Sequence, residues 1–79
     1  MEVQLKCAKE MFEELGYEYE ESYDKTLIDY YKKHNNLDLE ILFNKNEKTF
    51  CFTYVTKVDF KLLQAINKQI EELGWDKEV

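Results

Sequence analysis

The chain has 79 residues, 44% hydrophobic and 15% aromatic, with a formal net charge of −6 from 17 acids and 11 bases. This is the composition of one small folded domain rather than a disordered segment, and at this length folding hides only about 60–65% of the unfolded surface. All 11 bases are lysines; without arginine, which supplies the fork that grips phosphate and guanine edges, an acidic chain is poorly suited to bind DNA or RNA directly.

The first segment carries apolar residues at helical spacing. Leu5, Ala8, Met11, Phe12 and Leu15 fall on one face, with charges on the other, and predict an amphipathic helix over residues 2–15. The period then falls to two. Tyr17, Tyr19, Glu21 and Tyr23 alternate with Glu18, Glu20 and Ser22, as in a strand, and Asp24-Lys25 offers a turn. Residues 26–33 are rich in β-formers, and Asn35-Asn36 predicts a turn because asparagine tolerates positive φ. Leu37, Leu39, Ile41 and Phe43 alternate with Asp38, Glu40 and Leu42; a turn over 44–48 follows, then a β-branched and aromatic run over 49–55. Residues 57–73 return to the helical period in Leu62, Leu63, Ile66, Ile70 and Leu73, with Thr56 and Asp59 at capping-box spacing. The fold class is α+β: one domain over 1–79, with a helix, a three- or four-stranded antiparallel meander and a second helix, both helices on one face of the sheet.

The only two glycines stand in a repeated phrase, Glu13-Glu14-Leu15-Gly16-Tyr17 and Glu71-Glu72-Leu73-Gly74-Trp75. Each phrase closes a helical run. Leucine is the last core-facing residue, glycine takes the left-handed cap conformation, and the aromatic beyond folds back onto the helix. The glutamates read as solvated.

Chemistry-bearing constellations are sparse. His34, the only histidine, sits beside the Asn35-Asn36 turn with no nucleophile assigned to it. Cys7 and Cys51 have no metal-ligand spacing and read as reduced small hydrophobes in core-rich elements. Residues 10–24 hold seven carboxylates and no base, yet lack the Asp-x-Asp-x-Asp-Gly pattern of a calcium loop. Both glycines are used in caps, which leaves no phosphate loop. The expectation is a non-enzyme without catalytic residues, cofactor or metal, and with no evident small-molecule substrate. No apolar run approaches the ~20 residues of a membrane span, and no signal-peptide pattern opens the chain, which together predict a cytoplasmic protein with no membrane partner.

The segments Ala8-Lys9-Glu10-Met11-Phe12-Glu13-Glu14-Leu15-Gly16-Tyr17, Phe43-Asn44-Lys45-Asn46-Glu47-Lys48-Thr49-Phe50 and residues 65–75 resemble small uncharacterised proteins from phages and mobile elements of low-GC Gram-positive bacteria. The resemblance implies an accessory protein and transfers no site.

Helices on one face leave the other face open. With Leu37, Leu39, Ile41, Phe43, Phe50, Phe52 and Tyr54 under the helices, alternation sends Leu42, Cys51 and Val55 outward as a small apolar patch, rimmed by Asp38, Glu40 and Thr53. The acids Glu18, Glu20 and Glu21 of the first strand form a second candidate surface. The functional expectation is an acidic interaction module that meets a protein partner or a copy of itself. The alternatives are an acidic inhibitor that occupies the nucleic-acid groove of a nuclease or other basic protein, and a small enzyme with a site not recognisable from sequence.

Overall fold

A seven-residue helix is too short to be stable in water by itself, so the first helix, α1 (Ala8–Glu14), depends on what is placed at its two ends. The computed structural model describes residues 6–77; the expected helical residues before Lys6, Leu5 among them, lie outside these. At the N-terminus of α1 the Glu10 carboxylate accepts from the Cys7 N–H at 3.0 Å, and Glu72 accepts from the Ala8 N–H at 2.8 Å. At the other end the Lys32 ammonium donates to the Leu15 carbonyl at 2.9 Å. Both ends are thus capped by distant side chains whose charge suits the helix dipole. Glu72 is therefore not merely solvated: an anion unfavourable at the end of its own helix is favourable at the start of another.

The helix ends in a Schellman turn. Gly16 N–H bonds the Glu13 carbonyl and Tyr17 N–H bonds that of Phe12, both at 3.0 Å, with Gly16 at φ +94°. The Tyr17 ring then stands edge-on to Phe12 at 5.8 Å, the expected fold-back of the aromatic. The second helix, α2 (Phe60–Leu73), ends at Gly74 with φ +76°, and Trp75 opens a single 3-10 turn over Trp75–Lys77. Its ring lies 6.2 Å from Phe43 of the sheet. The start of α2 is three residues later than expected, because Asp59 itself is the cap, accepting from the Leu62 N–H at 2.8 Å.

Between the helices runs a meander of four antiparallel strands: β1 (Glu18–Glu21), β2 (Leu27–His34), β3 (Leu37–Asn44) and β4 (Thr49–Thr53). Asn35 and Asn36 both take positive φ, at 52° and 65°, which makes the tight hairpin between β2 and β3. The register sets Tyr19, Tyr30, Ile41 and Phe52 in one row across the sheet and Glu21, Ile28, Phe43 and Phe50 in the next. These rows form the inner face. Both helices lie over it: Phe12 of α1 stacks on Tyr30 at 3.8 Å, and the Tyr30 hydroxyl donates to Gln69 of α2. Burial pushes the Tyr30 hydroxyl pKa upward, so that it stays a neutral donor. The core is closed by Ala8, Phe12, Tyr17, Ile28, Tyr30, Ile41, Phe43, Leu62, Ala65 and Ile66. Among the described residues no helix is long and apolar enough to cross a membrane.

Several side chains depart from the alternation read in the sequence. Tyr54 takes φ +60°, a left-handed conformation that an aromatic residue rarely adopts, and β4 stops at Thr53. Tyr54 is consequently exposed, not core, and Val55 turns inward to pack against the core instead of joining the open face. Leu63 is exposed as well, on the flank of α2 away from α1. Glu21 belongs to the inner face, not the acidic outer one; its carboxylate meets Lys45 at 2.7 Å and Lys25 at 3.8 Å, and the Lys45 contact lowers its pKa. Cys7 and Cys51 are both free and both exposed, so neither is a buried small hydrophobe.

Candidate functional site

The outer face of the sheet is the mirror set of residues. Cross-strand pairing places Glu18, Tyr31, Glu40 and Thr53 in one row and Glu20, Asp29, Leu42 and Cys51 in the next. Nothing among the described elements lies over these rows. Leu42 and Cys51 are direct cross-strand neighbours, as the open-face reading expected. Without Val55 the apolar patch shrinks to this pair, and Asp38 lies apart at the hairpin end, 3.3 Å from Lys33. Thr53 donates its hydroxyl to Glu40 at 3.3 Å.

Carboxylates make up most of the rest of these two rows. Glu20 stands directly opposite Asp29, and Glu18 and Glu40 flank Tyr31 on its two sides. No ion pair among the described residues involves Glu18, Glu20, Asp29 or Glu40. The local potential raises the pKa of two groups. Asp29 is pushed up from its ordinary 3.8 to about 7, first by burial and then by its hydrogen bond and repulsion with Glu40 and the charge of Glu20. One of its carboxyl oxygens, Oδ1, is enclosed with no hydrogen-bond partner. The Tyr31 hydroxyl is raised above its ordinary 10.0, by Glu18 first, with burial, Glu20 and Asp29 adding. Asp29 and Tyr31 were not singled out from the sequence. Their signal was present in the parity of β2, where Leu27, Asp29, Tyr31 and Lys33 share one face and Ile28, Tyr30 and Lys32 the other.

On the inner side, a groove of about 570 Å³ opens between the hairpin end of the sheet and the start of α2, lined by Leu15, Tyr17, Leu39, Val55, Leu62 and Lys32 among others, with His34 at its edge. Two of its polar groups are already committed. Lys32 caps α1 and lies over the Tyr17 ring at 4.7 Å, and Asp59 caps α2. Among the described residues no cluster of histidine, cysteine and acid side chains is placed to hold a metal ion. No protein-family model, curated protein or solved structure matches the chain.

Proposed function

We propose that the protein is a small non-enzymatic interaction module whose outer sheet face receives a lysine- or arginine-bearing surface of another protein. The observation that carries this reading is the direct opposition of Glu20 and Asp29, with Glu40 beside them and no base in these two rows; Lys33, on the same face, lies at the hairpin end against Asp38. Like charges placed opposite one another in a sheet weaken it. A partner cation seated between these carboxylates displaces the proton that Asp29 holds near neutral pH and turns the repulsion into attraction. The neighbouring Tyr31 ring and Leu42 offer apolar surface for the stem of a long basic side chain. The resemblance of residues 8–17, 43–50 and 65–75 to small phage and mobile-element proteins suits the setting of a cytoplasmic accessory protein; the basic partner is argued from the carboxylates alone.

The test is a titration of isotopically labelled protein with an oligo-lysine peptide, followed by amide chemical shifts. Shifts confined to Glu18, Glu20, Asp29, Tyr31, Glu40 and Leu42, weakening steeply with added salt and lost in the Glu18→Gln, Glu20→Gln, Glu40→Gln triple variant, support the assignment. Shifts along the inner groove, or none, overturn it.

A further inference from the structure

The sheet ends on one side at β4, and this strand is open in three respects. Among the described residues no strand lies beside its outward backbone edge, since β4 pairs with β3 alone. All five of its residues are exposed. Phe50 and Phe52, although they point to the helix-covered face, keep 38% of their surface exposed each. The reason is lateral: α1 covers the side of β1 and β2, and nothing described covers β4 beyond the flank of α2 that carries Leu63. In a chain with 35% charged residues, residues 49–56 contain no charge at all.

We infer that β4 is a self-association edge, pairing antiparallel with the β4 of a second copy about a two-fold axis through Cys51. This register sets Phe50 opposite the copy's Phe52, and Thr49 opposite its Thr53, with all four rings on the inner face of a continuous eight-stranded sheet. The two α2 helices then approach over those rings with their Leu63 flanks facing. The lack of charge on β4 admits a second copy as the occupant, because under the two-fold the strip meets only itself and sets no like charges together. Two chains of charge −6 repel, and of the two sheet edges only β4 offers a strip free of acids; β1, with three glutamates in four residues, does not. Pairing β4 to the β1 of another copy generates an open filament and desolvates those glutamates, whereas β4 on β4 closes. The exposed parts of Phe50 and Phe52 amount to roughly 150 Å² at ~150–250 Å² per aromatic side chain. With the strand backbone and the α2 flank added, the contact falls at the small end of specific interfaces, below ~1,200 Å² in total. The association is therefore of the weak, transient class. It does not rest on the acidic-face reading, and it places the two outer faces side by side.

Sedimentation of the protein alone over about 5–500 μM is expected to show a rise from 9.6 kDa toward twice that mass. Phe52→Lys abolishes the rise. Cys51→Lys, which sets like charges on the axis without touching any ring, weakens it about tenfold or more with the circular dichroism unchanged. In a Cys7→Ser background, oxidation with copper phenanthroline links the chains through Cys51, because antiparallel partners lie ~4.5–5.5 Å apart at Cα, within disulfide reach. A 9.6 kDa species at every concentration overturns the inference. So does a dimer that survives Cys51→Lys, or one that crosslinks through Cys7 in a Cys51→Ser background as readily as through Cys51.

Discussion

Of the four residues of β1 three are glutamates, while the five of β4 carry no charge, and the two strands close the same sheet on opposite sides. The edges are protected by different means. At β1, Glu18 and Glu20 deter another strand from the outer side, and α1, held at both ends by Glu72 and Lys32, covers the inner side. At β4 neither device is present: the inner rings are half-covered and the outer side shows Cys51 and Thr53. The lesson is that a 79-residue chain has two helices to spend on one sheet face. It encloses Phe12 and Tyr30 completely, and among the described residues nothing encloses the rings of β4 to the same degree.

The largest expected contrast is between the aromatic residues of the two sides. Phe12 is fully buried and stacked on Tyr30 at 3.8 Å, so Phe12→Ala is expected to cost ~3–5 kcal/mol, a large part of the stability of a domain this small. Phe52→Ala, from a ring 38% exposed, is expected to cost ~1–2 kcal/mol at concentrations where the protein is monomeric. Urea unfolding of both variants measures this. Equal losses break the comparison, because they make β4 as much a part of the core as β2.

The acidic side carries a pH signature that β4 lacks. Asp29 titrates near 3.8 when unfolded and at about 7 in the fold. A raised folded value means that the native state binds the proton more tightly. Its contribution to stability is therefore complete below about pH 4 and is lost as pH rises through 7. Asp29→Asn keeps the shape and removes the charge. It is expected to flatten stability between pH 4 and 7 and to leave the variant about 1 kcal/mol more stable at pH 8, after discount for solvent screening. The lowered carboxyls Glu21 and Asp24 act in the opposite sense, their contribution fading as pH falls through their depressed values, which separates the two effects. A wild-type stability that is flat from pH 4 to 8 contradicts the crowding of carboxylates on this face.

Much of this arrangement was legible in the chain, and what was not legible has a local cause. The helix–meander–helix order followed from the change of period at Tyr17 and its return in the last helix. The positive φ of Gly16, Asn35, Asn36 and Gly74 followed from residue type. Tyr54 was misread because alternation was carried through it; an aromatic residue gives no sign of a left-handed backbone, and the kink that ends β4 turned Val55 in and Tyr54 out. Glu72 was misread because its partner, the Ala8 N–H, is 64 residues away in sequence. Asp29 was missed because a lone acid in a β-rich run looks like an ordinary surface residue until the register sets Glu20 opposite it.

The entry into β1 and the exit from β4 offer a smaller test. Gly16→Ala meets no clash, since an added Cβ finds only the Lys32 side chain at 3.7 Å, so its cost is the left-handed backbone alone, about 1 kcal/mol. Tyr54→Gly works in reverse: the residue is mostly exposed and already left-handed, and relief of strain is expected to gain a few tenths of a kcal/mol after the entropy cost of glycine. Thermal or urea unfolding of both decides whether backbone conformation, rather than side-chain packing, sets the cost at these two corners.

The finest distinction lies within the acidic face. Glu20 is the weakest of the groups that raise Asp29, behind burial and Glu40. Glu20→Gln removes its charge from the position directly across from Asp29 while leaving Glu40 in place. The Asp29 carboxyl is then expected to titrate slightly lower than in the parent, and stability at neutral pH to rise by ~0.2–1 kcal/mol, the range for a single cross-strand pair. Glu40→Gln is expected to lower the Asp29 titration further than Glu20→Gln does. Following the Asp29 carboxyl carbon through a pH series by NMR in the two variants ranks these contributions directly. If Glu20→Gln moves Asp29 more than Glu40→Gln, the repulsion on this face belongs to the β1–β2 pair, and the proposed cation-receiving position shifts from the centre of the sheet to its charged edge.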